Sequence, residues 1–275
     1  MEFLGTADVP AFSLTYRTAT HERGSVDVRL VVERLFAAAL PAELDALFVT
    51  SDLQGHVVAD GKQMLLGFAA ADAVAAYCAS RGIARERVGV LLAGDLFAFD
   101  DLERRGGLGD VRPVWRAFAA RAAFVVGVAG NHDAFGRTPA DLLAFGQEPG
   151  VHLLDAGTPG LPASVECGGL RIAGVSGIVG NPARAWRKTP DDFLEAVAAA
   201  IATRPDVLLL HQNPALPGVR RDEMTRLTQL LAAAGRGLVV FGHAYSPNPR
   251  TTLGRCQVLA TEGRAFWIER SAPVG

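Results

Sequence analysis

Apolar residues in this chain come in short runs divided by polar, Gly- or Pro-containing breaks, and the length and period of each run predict an element. Runs at residues 46–50, 88–93, 123–129, 207–210 and 238–241 are continuously apolar, as expected of strands covered on both faces. Helices are predicted between them. Ser25 has the chemistry of an N-cap, and Leu30, Val31, Leu35, Phe36 and Ala39 fall on one helical face before Pro41 ends the run. A long helix is predicted over residues 63–81, with Gly82 where a left-handed cap is wanted. Further helices are predicted over 113–121, from Thr138-Pro139-Ala140-Asp141, from Thr189-Pro190-Asp191-Asp192 and over 222–234. Residues 13–18 read as an edge strand, 20–24 as a loop, and the charged, Gly-rich stretch 100–112 as an exposed connection.

Helix and strand thus alternate through the first half, the order of stacked βαβ units in an α/β protein. After Val151 the texture changes. Runs at 151–154, 164–167 and 170–175 are separated by Gly and Pro like antiparallel hairpins, which predicts a second sheet region. Residues 256–260 and 264–268 read as a closing hairpin around Glu262-Gly263. With no repeat, low-complexity tail or linker, residues 1–275 are expected to form one domain.

Composition narrows the classes. A hydrophobic fraction of 49% and a net charge of -2 describe a folded globule without an electrostatic case for bulk nucleic-acid or membrane-surface binding. Three dispersed cysteines, Cys78, Cys167 and Cys256, suggest neither a disulfide framework nor a zinc knuckle. Together with a start that lacks a secretory pattern, they point to a cytoplasmic protein.

The candidate chemistry lies where the runs stop. Five of them empty into Asp52, Asp95, Asn131-His132, His211 and His243. The carboxyl ends of strands in an α/β sheet share one rim, so carboxylate, amide and imidazole groups converge there. Such oxygen and nitrogen donors suit Mn, Zn, Fe, Co or Ni. Two ions about 3.5–4 Å apart can activate water and clamp a phosphate for in-line attack.

In order, the blocks Asp52-Leu53-Gln54, Gly94-Asp95, Gly130-Asn131-His132-Asp133, His211 and Gly242-His243-Ala244-Tyr245 resemble the calcineurin-like metallophosphoesterases, across most of the chain. That family's pattern is Asp-x-His, Gly-Asp, Gly-Asn-His-Asp/Glu, a lone His and Gly-His-x-His. The resemblance implies two facing mixed β-sheets flanked by helices, a four-layer α/β/β/α sandwich. It implies two divalent ions, manganese foremost with Fe, Zn, Ni, Co or Mg as alternatives, and hydrolysis of a phosphomonoester or phosphodiester by a metal-activated hydroxide. Asp95 would bridge the ions, Asn131, His211 and His243 would complete the second, and Asp52 would hold the first. His132 would donate to the leaving oxygen, with Asp133 orienting it.

Two positions depart from the pattern, Gln54 and Tyr245, both where the first metal would have an imidazole. Three outcomes stay open: Gln54 and Tyr245 ligate through oxygen, His56 replaces a lost imidazole, or the first position binds weakly. A non-catalytic binding or scaffold protein of the same fold is the alternative function. Arg137 follows the catalytic loop, and Arg184, Trp186, Arg187 and Lys188 fall in the irregular loop 176–188, where Trp186 is a candidate surface for a planar group. The expected partner is a phosphorylated small molecule or nucleotide. Other motifs fail: Gly55 to Lys62 lacks phosphate-loop spacing, and neither a Gly-x-Ser-x-Gly elbow nor a Rossmann fingerprint occurs.

Overall fold

The computed structural model describes residues 3–271, apart from residues 21, 23, 60, 105, 217–223 and 236. Three strands open the described chain, β1 (Phe3–Thr6), β2 (Phe12–Ala19) and β3 (Ser25–Ala37). Then come β4 (Ala46–Thr50), β5 (His56–Ala59), β6 (Lys62–Leu65), helix α1 (Leu66–Arg81) and β7 (Val88–Leu92). Next are β8 (Gly109–Asp110), α2 (Arg112–Ala119), β9 (Phe124–Gly127), β10 (Asp133–Ala134), α3 (Pro139–Phe145) and β11 (Val151–Leu153). The remainder is β12 (Ser164–Cys167), β13 (Leu170–Val175), β14 (Ile178–Val179), β15 (Arg187–Lys188), α4 (Pro190–Ala202) and β16 (Val207–Leu210). After it come α5 (Thr225–Ala233), β17 (Gly237–Phe241), β18 (Arg250–Leu253), β19 (Cys256–Ala260) and β20 (Ala265–Arg270). The start expected for α5, Asp222, lies outside the described residues.

One sheet runs β11-β9-β7-β4-β20-β3-β2-β5-β6 with β1 also on β3, and the second runs β12-β13-β16-β17-β19-β18. Leu47, Leu91 and Val126 of the first meet Ile172, Leu209 and Val240 of the second in an apolar layer between them. The other face of the first sheet is covered by α1 and α2 through Leu66, Ala70, Val74, Val114 and Trp115. That of the second is covered by α4 and α5 through Phe193, Val197, Leu227 and Leu231. The result is the α/β/β/α sandwich. Burial on both faces explains why β7 and β16 are apolar throughout and β4 is apolar up to Thr50.

The sequence reading fails where one strand serves both layers. Residues 25–37 form strand β3, where a helix led by Ser25 was expected. Leu30 and Val32 face α1, whereas Leu35 and Ala37 face the second sheet, so burial moves from one face of the strand to the other. That shift spaces the apolar residues as on a helix. Three boundaries are also corrected. The start of the expected helix over 63–81 is strand β6, and α1 begins at Leu66. Strand β11 pairs parallel with β9 in the first sheet, leaving only β12 and β13 as the antiparallel hairpin expected after Val151. Strands β19 and β20 do not pair with each other: β19 joins β17 in the second sheet and β20 inserts between β3 and β4 in the first. The expected caps do occur. Gly82 is left-handed at φ 65, and the Thr138 and Thr189 side chains accept from Asp141 N–H and Asp192 N–H.

Strands β4, β7 and β9 run parallel, as do β16 and β17, so the candidate site residues all follow the same rim of the sandwich. The buried layer between the sheets should dominate stability. Leu209→Ala is expected to cost about 2–5 kcal/mol in urea unfolding. Val26→Ala, on a residue 46% exposed, should stay within about 0.5 kcal/mol.

Candidate functional site

The turns that leave the strands are tight. Asp52, Asp95 and His243 all take left-handed backbone, at φ 52, 58 and 69. Such strain in non-glycine residues persists only where the surroundings enforce it. Here hydrogen bonds from backbone N–H groups enforce it: Asp52 N–H donates to Gly94 O at 2.8 Å, and His243 N–H donates to the Asp52 carboxylate Oδ2 at 3.0 Å. Glycine is required where these turns approach one another. A Cβ on Gly130 would stand 2.0 Å from Asp95 Oδ1, and one on Gly242 would stand 2.5 Å from Asp52 Oδ2.

Asp95 is the hub. Its Oδ1 accepts His132 N–H at 2.9 Å, and its Oδ2 lies 3.3 Å from His211 Nε2 and accepts Gln54 Nε2–H at 3.2 Å. Burial works against its charge, but His211 and His132 hold the carboxyl below its ordinary value. His211 is completely buried, and its Nδ1–H donates to the Ala93 carbonyl at 2.7 Å, turning Nε2 toward Asp95. Burial opposes charge on that ring too, yet the Asp95 carboxylate prevails and pushes the imidazole up to about 10. The His243 ring packs on it with centroids 5.1 Å apart. Among the described residues, Asp95, His211 and His243 form a group whose donor atoms lie within 4.8 Å of one another. Asn131, in the turn after β9, is 9% exposed, and its buried Oδ1 has no hydrogen-bond partner among the described residues.

Asp52 stands beside this group, its Oδ2 accepting from Ser51 Oγ at 2.5 Å as well as from His243 N–H. Burial pushes its carboxyl up to about 7, and the Asp95 charge adds to the effect. His132 lies at the mouth, 27% exposed, with Nδ1–H donating to Gly107 O at 2.6 Å and Nε2 4.0 Å from Asp95 Oδ2. Asp133 departs from the role expected of it. Its carboxylate accepts the backbone N–H groups of Asp95, Leu96 and Gly130, each at 2.8 Å, and the Gly107 carbonyl orients the His132 ring instead. Burial pushes Asp133 up to about 6 with the Asp95 charge adding, and the N–H donors favour the ionised form against both.

The two atypical positions behave differently. Gln54 enters the site as a donor to Asp95. Tyr245 is 61% exposed, and the Arg264 guanidinium covers its ring at 4.6 Å. His56 begins β5 and lies outside the Asp95 group; its Nε2 is 3.6 Å from Asp100 Oδ1. Trp186 is not an open stacking surface: it packs edge-on against Phe135, and its Nε1–H donates to Asp133 O at 2.7 Å. Lys188 is likewise committed inward, to Asp155 Oδ2 at 2.8 Å and Ser176 O at 2.9 Å. Arg137 is exposed and uses its backbone N–H to cap α3 through Asp141. Sequence reasoning missed Ser51, which ties Asp52 to Thr261 Oγ1 at 2.7 Å. It also missed the Gly107 carbonyl, which carries no side-chain signal.

No protein-family model and no curated protein matches the sequence. The chain is similar to a solved structure of a hypothetical protein from Thermus thermophilus, at 15% identity and a TM-score of 0.47, over 80% of this chain and 76% of that one. It is similar to 5'-nucleotidase from Candida albicans at 12% identity and a TM-score of 0.44, over 82% of this chain and 46% of that one. A third similarity is to a purple acid phosphatase from yellow lupin (Lupinus luteus) seeds, at 11% identity and a TM-score of 0.42, over 97% of this chain and 52% of that one. This chain therefore spans about half the length of the latter two.

Because Asp133 gathers three buried N–H groups, Asp133→Ala should destabilise the fold. Each buried donor left without a partner costs about 1–3 kcal/mol, so a total of about 3 kcal/mol or more is expected in urea unfolding.

Proposed function

We propose that the protein is a metal-dependent phosphoesterase whose principal cation is held by Asp95, Asn131, His211 and His243. One observation carries the reading: among the described residues Asn131 Oδ1 is a buried acceptor without a hydrogen-bond partner, on the rim where His211 Nε2 lies 3.3 Å from the buried Asp95 carboxylate. Buried polar atoms are ordinarily satisfied, and a cation would satisfy these together. The donors fit one. A ligating imidazole normally donates its other N–H to a carbonyl or carboxylate, as His211 does to Ala93 O. An amide oxygen, a carboxylate and two imidazoles without thiolate suit Mn, Fe, Zn or Co.

The chemistry supplied by a divalent ion in such a site is Lewis acidity, which polarises a phosphoryl oxygen and acidifies water. The chain's own residues do the rest. Asp95 and Asp133 fix the turns that present Asn131 and His132. With its Nδ1–H committed to Gly107 O, His132 offers Nε2 at the exposed mouth as hydrogen-bond or proton donor to the leaving oxygen. Gln54 and Tyr245 favour a weak first metal position, since Gln54 faces Asp95 through its amide nitrogen and Tyr245 lies exposed under Arg264. The same two residues support a second reading, a protein of this fold that binds a phosphorylated ligand without turnover.

Metal analysis paired with hydrolysis of para-nitrophenyl phosphate and its bis-ester under Mn titration decides between them. His132→Ala should keep the metal and lose about 10²–10⁴-fold in kcat, whereas His211→Ala should lose the metal itself. A wild-type protein that takes up Mn but turns over neither ester, and gains activity only as Gln54→His with Tyr245→His, would favour the non-catalytic reading.

Metal uptake should also depend on pH with a definite sign. Without a cation, His211 holds its proton to about 10 and Asp52 to about 7. Coordination at the principal position requires His211 deprotonated, and a cation that also reaches Asp52 requires that carboxyl ionised, so binding releases protons and weakens as pH falls. Calorimetry in buffers of different ionisation enthalpy should record the released protons, with Mn affinity rising from about pH 6 to about pH 8.

A further inference from the structure

The loop from Leu96 to β8 closes on His132 through its backbone. The Gly107 carbonyl accepts His132 Nδ1–H at 2.6 Å, and a Cβ on Gly106 would stand 3.6 Å from His132 Cε1. Gly109 N–H donates to His132 O at 3.2 Å, and β8 then pairs with β10 from Gly109 opposite Asp133. Ring and main chain of His132 are therefore both gripped by residues 106–109. Gly106 and Gly107 take left-handed backbone, at φ 75 and 94, a conformation that glycine adopts at no steric cost.

Two aromatic rings set where that backbone lies. Phe97 and Phe99 meet edge to face with centroids 5.2 Å apart. A Cβ on Gly107 would stand 2.1 Å from Phe99 Cζ, and one on Gly109 would stand 2.0 Å from Phe97 Cε2, so the rings fill the space that side chains would take. The Arg104 guanidinium lies over the Phe99 ring, 4.0 Å from its centroid. Phe97 also packs on the core covered by α1 and α2. Phe99 does not: it is half-buried, and among the described residues it belongs to none of the three apolar clusters. Packing of the sandwich thus accounts for Phe97 and leaves Phe99 without a structural task beyond the loop.

We propose that Phe99 is a positioning residue for His132. Its ring seats the Gly107 carbonyl against Nδ1, which keeps the proton on that nitrogen and leaves Nε2 as the one presented at the mouth. Which imidazole nitrogen is protonated is set by the hydrogen bond that the other makes. When His132 protonates a leaving oxygen, the proton passes from Nε2 as the P–O bond breaks, and the ring that remains is neutral with Nδ1–H still on Gly107 O. A ring released from the carbonyl would turn or change tautomer and lose that alignment. The catalytic consequence rests on the phosphoesterase reading, whereas the seat is a property of the loop, and separate readouts test the two.

Nitrogen-15 spectra of the histidine rings in the metal-free full chain, recorded where the His132 ring is neutral and assigned with His132→Ala, read the tautomer directly. The wild type should show Nδ1–H alone. Phe99→Leu, which keeps an apolar side chain without the ring, should give a mixture of tautomers, and Phe99→Tyr should restore Nδ1–H. Gly107→Ala, which displaces the same contact from its other side, should give the mixture too. In the Mn-loaded chain Phe99→Leu should lower kcat for phenyl phosphate about tenfold with KM within about twofold, and lower it less for para-nitrophenyl phosphate, whose leaving oxygen needs a proton less. Mn affinity should stay in place, because Asp95, Asn131, His211 and His243 are untouched. A mixed tautomer in the wild type, or a Phe99→Leu spectrum identical to it, would overturn the proposal even if the protein hydrolyses both esters. An equal loss on both esters together with loss of Mn binding would also overturn it, by making Phe99 a support of the fold alone. A tautomer that depends on Phe99 in a chain without any hydrolysis would uphold the seat and remove the phosphoesterase reading.

Discussion

The contact between Asp95 and His211, a buried carboxylate oxygen 3.3 Å from a buried ring nitrogen, is the constraint on which the site depends. Asp95 follows β7 of the first sheet and His211 follows β16 of the second, so the pair fastens two sheets that otherwise meet through apolar side chains. The His243 N–H to Asp52 bond crosses between the same sheets. Isolated charges at this depth would be strongly disfavoured. The opposed shifts of His211 and Asp95 show each group sustaining the ionised form of the other. Polar chemistry and sheet apposition are thus held by the same atoms.

Around that pair, backbone groups do most of the positioning. Asp133 accepts three N–H groups and so welds the turn after β7 to the turn after β9, while Trp186 reaches over from the loop before α4 to hold the Asp133 carbonyl. The left-handed turns at Asp52, Asp95 and His243 are stable because these bonds leave them little alternative. Rigid elements supply the position of each side chain, and the loops between them supply its direction.

Much of this was legible in the sequence, for identifiable reasons. Strands such as β4, β7 and β16 are buried on both faces, so their apolar runs mark their ends, and the site residues follow those ends directly. Thr138, Thr189 and Gly82 signal their helix caps through local chemistry that needs no tertiary context. Legibility stopped where a residue's role is set by a distant partner. Strand β3 divides its burial between two layers and so imitates a helix, and β11 and β20 join the first sheet through pairings that no local pattern encodes. Trp186 offered a planar ring in an exposed-looking loop, but the structure turns that ring against Phe135. The Gly107 carbonyl that orients His132 had no side chain to announce it.

The insertion of β20 between β3 and β4 also bears on how the molecule is made. Residues 265–270 bridge two portions of the first sheet that have no direct hydrogen bonds to each other, and both faces of that strand are buried through Phe266, Trp267 and Ile268. During synthesis the earlier strands leave the ribosome with their shared middle missing, so β3 and β4 each carry an unpaired edge until the keystone arrives. Closure of the first sheet therefore waits on a strand far along the chain from β3 and β4, and until residues 265–270 pair, those two edges are open to wrong pairing.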